Sequence, residues 1–187
     1  MDLREAIYTR RAVRNFSSKA VDDATIRQLI DAAIQAPSAM NEQPYCFIVV
    51  RAQGLLDRVS AAVKTFTLKT TAAGLLPPHL EETLHDSKFQ IFYHAPVLIL
   101  ISSMNQGPWA AIDCALAAEN LMLAARGAGL GTCWIGFAQG WLATPEGKSA
   151  FGLPQSYLPV APIIVGYPQV ASAPVPRKEP TIQYVNG

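Results

Sequence analysis

One long helix constrains the fold of this chain more than any other feature of the sequence. Residues 109–126 predict a helix that is apolar nearly all round, with the side chains Ala110, Ala111, Ile112, Ala115, Leu116, Leu121, Met122 and Leu123. A helix without a polar face is buried. Because the 187 residues suffice for one domain and not for two, we expect a partner subunit to complete this burial.

The other predicted elements alternate between helices and strands without a regular strand–helix–strand order. Helices are expected over residues 2–9, from Asp22 or Asp23 to a stop at Pro37, and over 55–66; strands are expected over 45–50, 97–101, after the glycines of 129–136, and over 160–166. The continuous apolar run 97–101 indicates a strand buried on both faces. This order predicts an α+β sandwich, a mixed sheet with helices packed on it.

Two segments are less regular. Residues 67–95 are broken by Gly74, Pro77 and Pro78, and they form a candidate loop over a site. Six prolines between residues 159 and 180 predict an extended end. We therefore expect a single domain over residues 1–187, with an extended tail from about residue 168 that lies along another subunit.

Composition and charge exclude several classes of function. The formal net charge of +1 argues against a nucleic-acid binder, which shows a broad basic face. Cys46, Cys114 and Cys133 form no C-x-x-C pair, and the histidines have no metal-ligand spacing, so no metal is predicted. Without a signal-peptide pattern or an apolar run long enough for a membrane span, we expect a cytoplasmic protein with no membrane partner.

Three arginines stand close together near the N-terminus, in the segment I-Y-T-R-R-A-V-R-N-F of residues 7–16. Arg10, Arg11 and Arg14 repel each other, and guanidiniums bind phosphate in a forked geometry that lysine cannot match. The alternative is a solvated basic end of the first helix, which the helix dipole favours. Taken alone, the segment favours this alternative, although its apolar neighbours indicate partial burial.

A polar loop follows the second predicted helix, with the sequence P-S-A-M-N-E-Q-P over residues 37–44. Ser38, Asn41 and Gln43 offer hydroxyl and amide groups that could pair with the polar edge of a heterocycle. The alternative is ordinary turn chemistry after a helix stop. Taken alone, the loop again favours the simpler alternative.

No conventional catalytic grouping is present. The glycines of G-A-G-L-G, residues 127–131, follow a helix and precede a strand, the reverse of a dinucleotide fingerprint, so they indicate a helix end. The backbone of residues 133–136 remains a candidate contact for a flat ligand. Asp113 and Glu119 on the apolar helix are interpreted as ties to neighbouring backbone or to a dimer partner, although a buried polar pair is the alternative. An enzyme of this kind leaves the chemistry to a cofactor.

Together these segments resemble the nitroreductase family of flavin enzymes. The matching segments, in family order, are R-R-A-V-R-N-F, A-P-S-A-M-N-E-Q-P-Y, D-C-A-L-A-A-E-N-L-M-L-A-A-R-G-A-G-L-G-T-C-W-I-G, P-I-I-V-G-Y-P and P-R-K-E-P. The resemblance covers nearly the whole chain except residues 67–95. It implies a three-layer α+β sandwich, a mostly antiparallel sheet flanked by helices, and a domain-swapped homodimer with two flavin mononucleotide (FMN) sites at its interface.

The resemblance also implies which residues bind the cofactor. The phosphate and ribityl groups would contact Arg10, Arg11, Ala12, Arg14, Arg177 and Lys178. Pro37, Ser38, Ala39, Asn41 and Gln43 would reach the flavin from the other subunit, and Trp134, Ile135 and Gly136 would lie near its ring through their backbone. Ala12 replaces a serine frequent in the family, which removes one hydroxyl contact. Lys64 and Lys69 are candidates for the ring's pyrimidine end.

The implied activity is the transfer of reducing equivalents from NAD(P)H to electron-poor small molecules such as nitroaromatics or quinones. The implied mechanism is ping-pong, with hydride delivered to the flavin before the acceptor takes its place, and no catalytic side chain is assigned. Alternatives on the same scaffold are a reductive dehalogenase or a flavin-destroying enzyme. A flavin-binding storage or sensor protein with little turnover is the alternative outside enzymes.

Overall fold

The chain folds around one four-stranded sheet. The structure is a computed structural model that describes residues 1–72, 74–171 and 173–185. Its strands are β1 (Tyr45–Val50), β2 (Val97–Ser103), β3 (Gly131–Trp134) and β4 (Leu158–Gly166), in the order β1-β2-β4-β3. All three strand pairings are antiparallel, and one isolated parallel bridge joins Ala12 to Thr132 beside β3. The predicted mostly antiparallel sheet is therefore confirmed.

Helices cover both faces of this sheet. They are α1 (Leu3–Thr9), α2 (Asp23–Ala33), α3 (Gln53–Thr70), α4 (Pro78–His85), α5 (Ala110–Gly127), α6 (Gln139–Leu142) and α7 (Pro145–Ala150), with short 3-10 turns at Ala39–Asn41 and Gly136–Ala138. Within the described residues, no helix combines the length and apolar character that crossing a bilayer requires.

The alternating side chains of β2 divide the core into two layers. Every residue of β2 is buried, as its apolar run predicts. Ile99 packs on one face with Leu29 of α2 and Leu121 of α5. Leu98 packs on the opposite face, in the cluster that includes Leu56 of α3. The sheet is thus the middle of three layers.

Within one chain, α5 buries only part of its surface. Its inner side includes Cys114, Ala117 and Leu121, which are fully buried. The outer side leaves Ile112 and Leu116 49% and 41% exposed. The predicted contact of this helix with a partner subunit therefore stays a prediction, and the single chain leaves an apolar surface for it.

The glycines after α5 end the helix, as predicted, but the residue with left-handed backbone is Gly129. Its φ is +76°, which favours glycine. The amide of Leu130 donates a 2.8 Å hydrogen bond to the carbonyl of Ala125. This bond satisfies a carbonyl at the helix end and turns the chain directly into β3.

Several predicted boundaries were wrong. Helix α3 runs from Gln53 to Thr70 rather than over 55–66, and α2 ends at Ala33, four residues before Pro37. Segment 67–95 holds the end of α3 and all of α4. β4 begins at Leu158 rather than at residue 160, so Pro159 also lies within the strand, opposite a register shift in β2.

Candidate functional site

The arginine segment lies along the edge of β3. The amide of Val13 donates a 2.9 Å hydrogen bond to the carbonyl of Thr132, and the amide of Ser17 donates one of the same length to Tyr167. A Cβ added at Gly131 would stand 2.7 Å from the Cβ of Val13. The approach of the segment to the strand therefore requires glycine at this position.

Glu119 of α5 partly neutralises the cluster. Its Oε1 lies 3.2 Å from Nε of Arg10, in an ion pair whose side chains are 46% and 26% exposed, respectively. Glu119 thus ties the apolar helix to the arginine segment within one chain. The sequence predicted a tie from Glu119 to backbone or to a dimer partner, and within one chain its partner is instead the side chain of Arg10.

Arg11 has a half-buried side chain with only part of its hydrogen-bonding capacity used. Its Nη1 donates a 2.6 Å hydrogen bond to the carbonyl of Arg10. Its Nε is buried and has no hydrogen-bond partner within residues 1–72, 74–171 and 173–185. Because a buried donor without an acceptor costs about 1–3 kcal/mol, this position favours an anionic or oxygen-rich ligand.

Two cavities meet at Arg11. The one that we call the inner cavity has a volume of about 90 Å³ and is lined by Thr9, Arg10, Arg11, Val13, Arg126, Leu130, Gly131, Thr132, Pro168 and Ala171. The outer cavity has a volume of about 320 Å³ and is lined by Ile7, Tyr8, Arg11, Val175 and Arg177. The structure therefore places Arg11 between Arg10, in the inner cavity, and Arg177 of the tail, in the outer cavity. Lys178 is exposed and stands outside both lining sets.

Arg14 and Ala12 occupy different surroundings from the other members of the motif. The guanidinium carbon of Arg14 lies 5.9 Å from the ring centroid of Tyr93. Burial raises the pKa of the Cys133 thiol, and the nearby Arg14 charge opposes that rise. Ala12 is exposed and pairs with Thr132 in the isolated bridge. Arg14 therefore places its charge next to β3, away from the lining of the inner cavity.

The polar loop is held by short internal hydrogen bonds. The hydroxyl of Ser38 accepts a 3.0 Å bond from the amide of Gln43, and the side-chain amide of Gln43 donates a 2.9 Å bond to Asn41. Asn41 and Gln43 have φ values of 56° and 50°, in the left-handed region. The side chains that sequence assigned to a ligand therefore also build the loop, and both Asn41 and Gln43 stay exposed.

Asp113 fixes this loop on α5. Its Oδ1 accepts a 3.1 Å hydrogen bond from the backbone amide of Ala39. A further cavity of about 290 Å³ is lined by Pro37, Ser38, Ala39, Trp109, Asp113 and Leu116. None of these six residues lines the inner or the outer cavity. One chain thus keeps the loop and the arginines apart, with α5 joined to both.

The backbone after β3 is accessible at Gly136. Trp134 ends the strand and is half-buried, whereas the amide of the buried Ile135 donates a 2.8 Å hydrogen bond to Pro162. Gly136 is exposed and begins a 3-10 turn. Of these three predicted residues, Gly136 therefore presents its backbone to a ligand most openly.

The two candidate lysines differ in availability. Nζ of Lys64 donates hydrogen bonds of 2.6 Å and 3.0 Å to the carbonyls of Asp86 and Phe89, so this ammonium ties α3 to the segment after α4. Lys69 is exposed and lines a cavity of about 700 Å³ between α3 and α6–α7, where Phe66 and Trp141 provide aromatic walls. Lys69 is thus the lysine that faces open space.

Arg126 is a candidate residue that sequence reasoning missed. It lies in the last turn of α5 and lines the inner cavity, and its Nε donates a 2.9 Å hydrogen bond to the hydroxyl of Thr9. A basic residue in the last turn of a helix is ordinary, so it gave no separate signal. In the part of the chain that the structure describes, no cluster of three His, Cys, Asp or Glu side chains is arranged for a metal ion.

A family model described as the nitroreductase family matches residues 7–167. The chain belongs to the nitroreductase family. The matched range includes the arginine segment, the polar loop, α5 and the backbone of Gly136. It ends at Tyr167, before the tail that carries Arg177.

Individual proteins agree with this membership. A protein of Methanothermobacter thermautotrophicus, named provisionally as an NADH dehydrogenase/NAD(P)H nitroreductase, is 31% identical over 173 residues, which cover 90% of this chain and 78% of that protein. A nitroreductase of Bacteroides fragilis solved with bound FMN is 27% identical, with a TM-score of 0.86 and full coverage of both chains. An iodotyrosine deiodinase solved with FMN and 3-iodo-L-tyrosine is 25% identical, with a TM-score of 0.76, covering 99% of this nitroreductase-family chain and 100% of the deiodinase chain. The predicted α+β nitroreductase fold is confirmed.

Proposed function

We propose that this protein is an FMN-dependent oxidoreductase that passes reducing equivalents from NAD(P)H to electron-poor acceptors such as nitroaromatics or quinones. The observation that carries this proposal is the buried, unpartnered Nε of Arg11 between two arginine-lined cavities. This arrangement suits the phosphate of FMN, which the B. fragilis nitroreductase binds. The name of the M. thermautotrophicus relative supports NAD(P)H as the reductant.

The residues around the cavities fit the phosphate end of the cofactor. Arg10, Arg11 and Arg177 supply positive charge from two distant parts of the chain, and the exposed Lys178 adds to it. Guanidiniums in a partly enclosed site bind phosphate strongly because their N–H donors match its oxygens in pairs. These residues would therefore hold and orient the cofactor without taking part in electron transfer.

At the ring end, the chain provides orientation and charge. Bound FMN supplies the redox chemistry, accepting reducing equivalents from NAD(P)H and giving them to the acceptor in separate, ping-pong half-reactions. The accessible backbone of Gly136 would face the ring, and Arg14 would place a cation near it. A fixed cation near developing negative charge lowers the barrier to reduction.

A second copy of this chain would complete the site. The polar loop lies beside exposed apolar residues of α5, among them Trp109 at 58% exposure. A domain-swapped homodimer would cover this surface and bring Ser38, Asn41 and Gln43 to the cofactor of the other subunit. The tail from about residue 168 would lie along the partner. The free cysteines suit a cytoplasmic location for this dimer.

The experiment that tests the proposal measures flavin binding and turnover together. Purified protein reconstituted with FMN is expected to bind one FMN per chain. NADH or NADPH should bleach the visible absorbance of the bound flavin in the absence of oxygen. Addition of menadione or 4-nitrobenzoate should restore that absorbance. Arg11→Gln should weaken FMN binding at least tenfold. Arg27→Gln is the matched control, because Arg27 pairs with Asp31 on the surface of α2. A protein that takes up no FMN would contradict the proposal.

The similarity to iodotyrosine deiodinase supports reductive dehalogenation as a second candidate function. The same reconstituted protein, reduced and mixed with 3-iodo-L-tyrosine, distinguishes the two candidates by the release of iodide. A third outcome is slow oxidation of NADPH with no acceptor supporting turnover, which would indicate a flavin-storage or sensor protein.

A further inference from the structure

The inner cavity brings together three arginines from two ends of the domain. Arg10 and Arg11 follow α1, whereas Arg126 lies in the last turn of α5. The hydrogen bond from Nε of Arg126 to the Thr9 hydroxyl holds this guanidinium at the cavity wall. That bond uses one of the five N–H donors of the side chain and leaves the terminal nitrogens for another partner.

The charges around this cavity do not balance. Among the described residues, Glu119 is the only carboxylate that forms an ion pair with any of the three arginines, and it pairs with Arg10. Three guanidiniums and one carboxylate carry a net charge of two. A phosphate monoester carries about −1.5 to −2 at neutral pH. The group therefore matches the charge of one phosphate.

The size of the cavity agrees with this charge. Its volume of about 90 Å³ equals the space of roughly three liquid waters. This space accommodates a compact group of a few heavy atoms such as a phosphate. Pro168 and Ala171 of the tail form part of its wall, so the cavity is enclosed by both ends of the chain.

We propose that Arg126 is a phosphate-binding residue of this protein, acting with Arg10 and Arg11 in the inner cavity. This inference rests on the proposed FMN-dependent function and adds a residue outside the R-R-A-V-R segment and the basic tail. Its consequence is selectivity for FMN over riboflavin, which lacks the phosphate. The competing role for Arg126 is structural, because a cation in the last turn of α5 stabilises the helix.

Binding of the two flavins separates these roles. Flavin fluorescence is titrated with flavin-free protein to give the Kd for FMN and for riboflavin, for the wild type and each variant. Arg126→Gln is expected to weaken FMN binding by about 10- to 100-fold, the range for a charge-assisted contact, and to leave riboflavin binding unchanged. Arg126→Lys keeps the charge at the helix end and should lose part of the selectivity, because lysine lacks the fork. Arg27→Gln is the matched control.

The other outcomes are decisive as well. A lower melting temperature with unchanged FMN selectivity in Arg126→Gln would show a structural role and overturn the inference. Loss of selectivity in Arg177→Gln but not in Arg126→Gln or Arg126→Lys would place the phosphate in the outer cavity and also overturn it. If Arg126→Gln does not fold, the ³¹P chemical shift of FMN bound to Arg126→Lys decides, since an unchanged shift contradicts contact. A wild type that binds neither flavin would instead reject the proposed function itself.

Discussion

Oδ1 of Asp113 accepts a 3.1 Å hydrogen bond from the backbone amide of Ala39. A buried acid on α5 therefore sets the position of the polar loop. Asp113 is 3% exposed. A hydrogen bond to a charged group is worth about 1.5–3 kcal/mol, more than one between neutral groups. The geometry of residues 37–44 therefore depends on a side chain more than 70 positions further along the chain.

Replacement of Asp113 tests this dependence. Asp113→Ala leaves the amide of Ala39 without its acceptor, and we expect the free energy of unfolding to fall by about 2 kcal/mol. Asp113→Asn keeps an acceptor of the same shape and should recover part of the loss. Urea denaturation of the FMN-free protein measures both variants. Equal stability of the alanine variant and the wild type would show that the bond contributes nothing.

A methyl group at Gly131 should disturb the arginine segment. In Gly131→Ala the new Cβ would stand 2.7 Å from Val13, so the segment must move away from β3. Overpacking of this kind costs about 1–3 kcal/mol, and we expect weaker FMN binding in addition. Gly127→Ala is the control, because its Cβ meets no atom within 4 Å. The double variant with Val13→Gly, which removes all three clashing carbon atoms of Val13, should regain part of the affinity. Failure to do so would locate the strain elsewhere.

A charged side chain introduced on the exposed side of α5 should prevent formation of the proposed dimer. Leu116 is 41% exposed in one chain and lines the cavity beside the polar loop. Leu116→Arg should convert the proposed dimer into a monomer of 20.2 kDa, because an unpaired charge is costly in an apolar interface. Sedimentation velocity measures the mass. Val49→Arg, at a 39% exposed position in the edge strand β1, is the control that should stay dimeric.

The buried thiol of Cys114 predicts a loss of stability in alkali. Burial and the neighbouring charge of Asp113 raise the pKa of this thiol from 9.0 to about 12. Between these pH values the native state holds a proton that the unfolded state has lost, so stability falls as the pH rises from about 9 towards 12. One thiol contributes a slope of at most about 1.4 kcal/mol per pH unit.

Unfolding experiments at several pH values check this slope. Cys114→Ala should flatten the fall in unfolding free energy between pH 9 and the upper limit of the measurement. Cys46→Ala is the comparison, because Cys46 is only partly buried and its pKa is raised to a smaller extent. Parallel curves for the wild type and Cys114→Ala would refute the role of this thiol.

Sequence reasoning succeeded where local side-chain chemistry decides the structure. β1 was predicted with both of its boundaries, because aromatic and β-branched residues fill it and Pro44 precedes it. Asp22 caps α2 through the amide of Thr25, as one of the two predicted caps. The continuous apolar run of β2 likewise predicted its burial on both faces.

Sequence reasoning failed where tertiary contacts decide the structure. α6 and α7 have four and six residues, too few for a helical period to be visible. Pro162 lies in a central strand although it has no backbone N–H to donate, and the register shift beside it, which a local sequence pattern does not reveal, accounts for this exception. Arg126 and Arg11 share a cavity although more than a hundred residues separate them.

The N-terminal segment pairs with residues in the second half of the chain, so it can reach its final position only late in synthesis. Ala12 forms an isolated β-bridge with Thr132, and Phe16 forms one with Pro168. Neither bridge can form until its second residue has been synthesised. On the ribosome, the arginines therefore emerge among the first residues, and the two bridges that flank Arg14 can form only after residues 132 and 168 have been made. A chain that ended before residue 130 would carry all three arginines of the motif and lack half of the inner cavity's wall, which Leu130, Gly131, Thr132, Pro168 and Ala171 form.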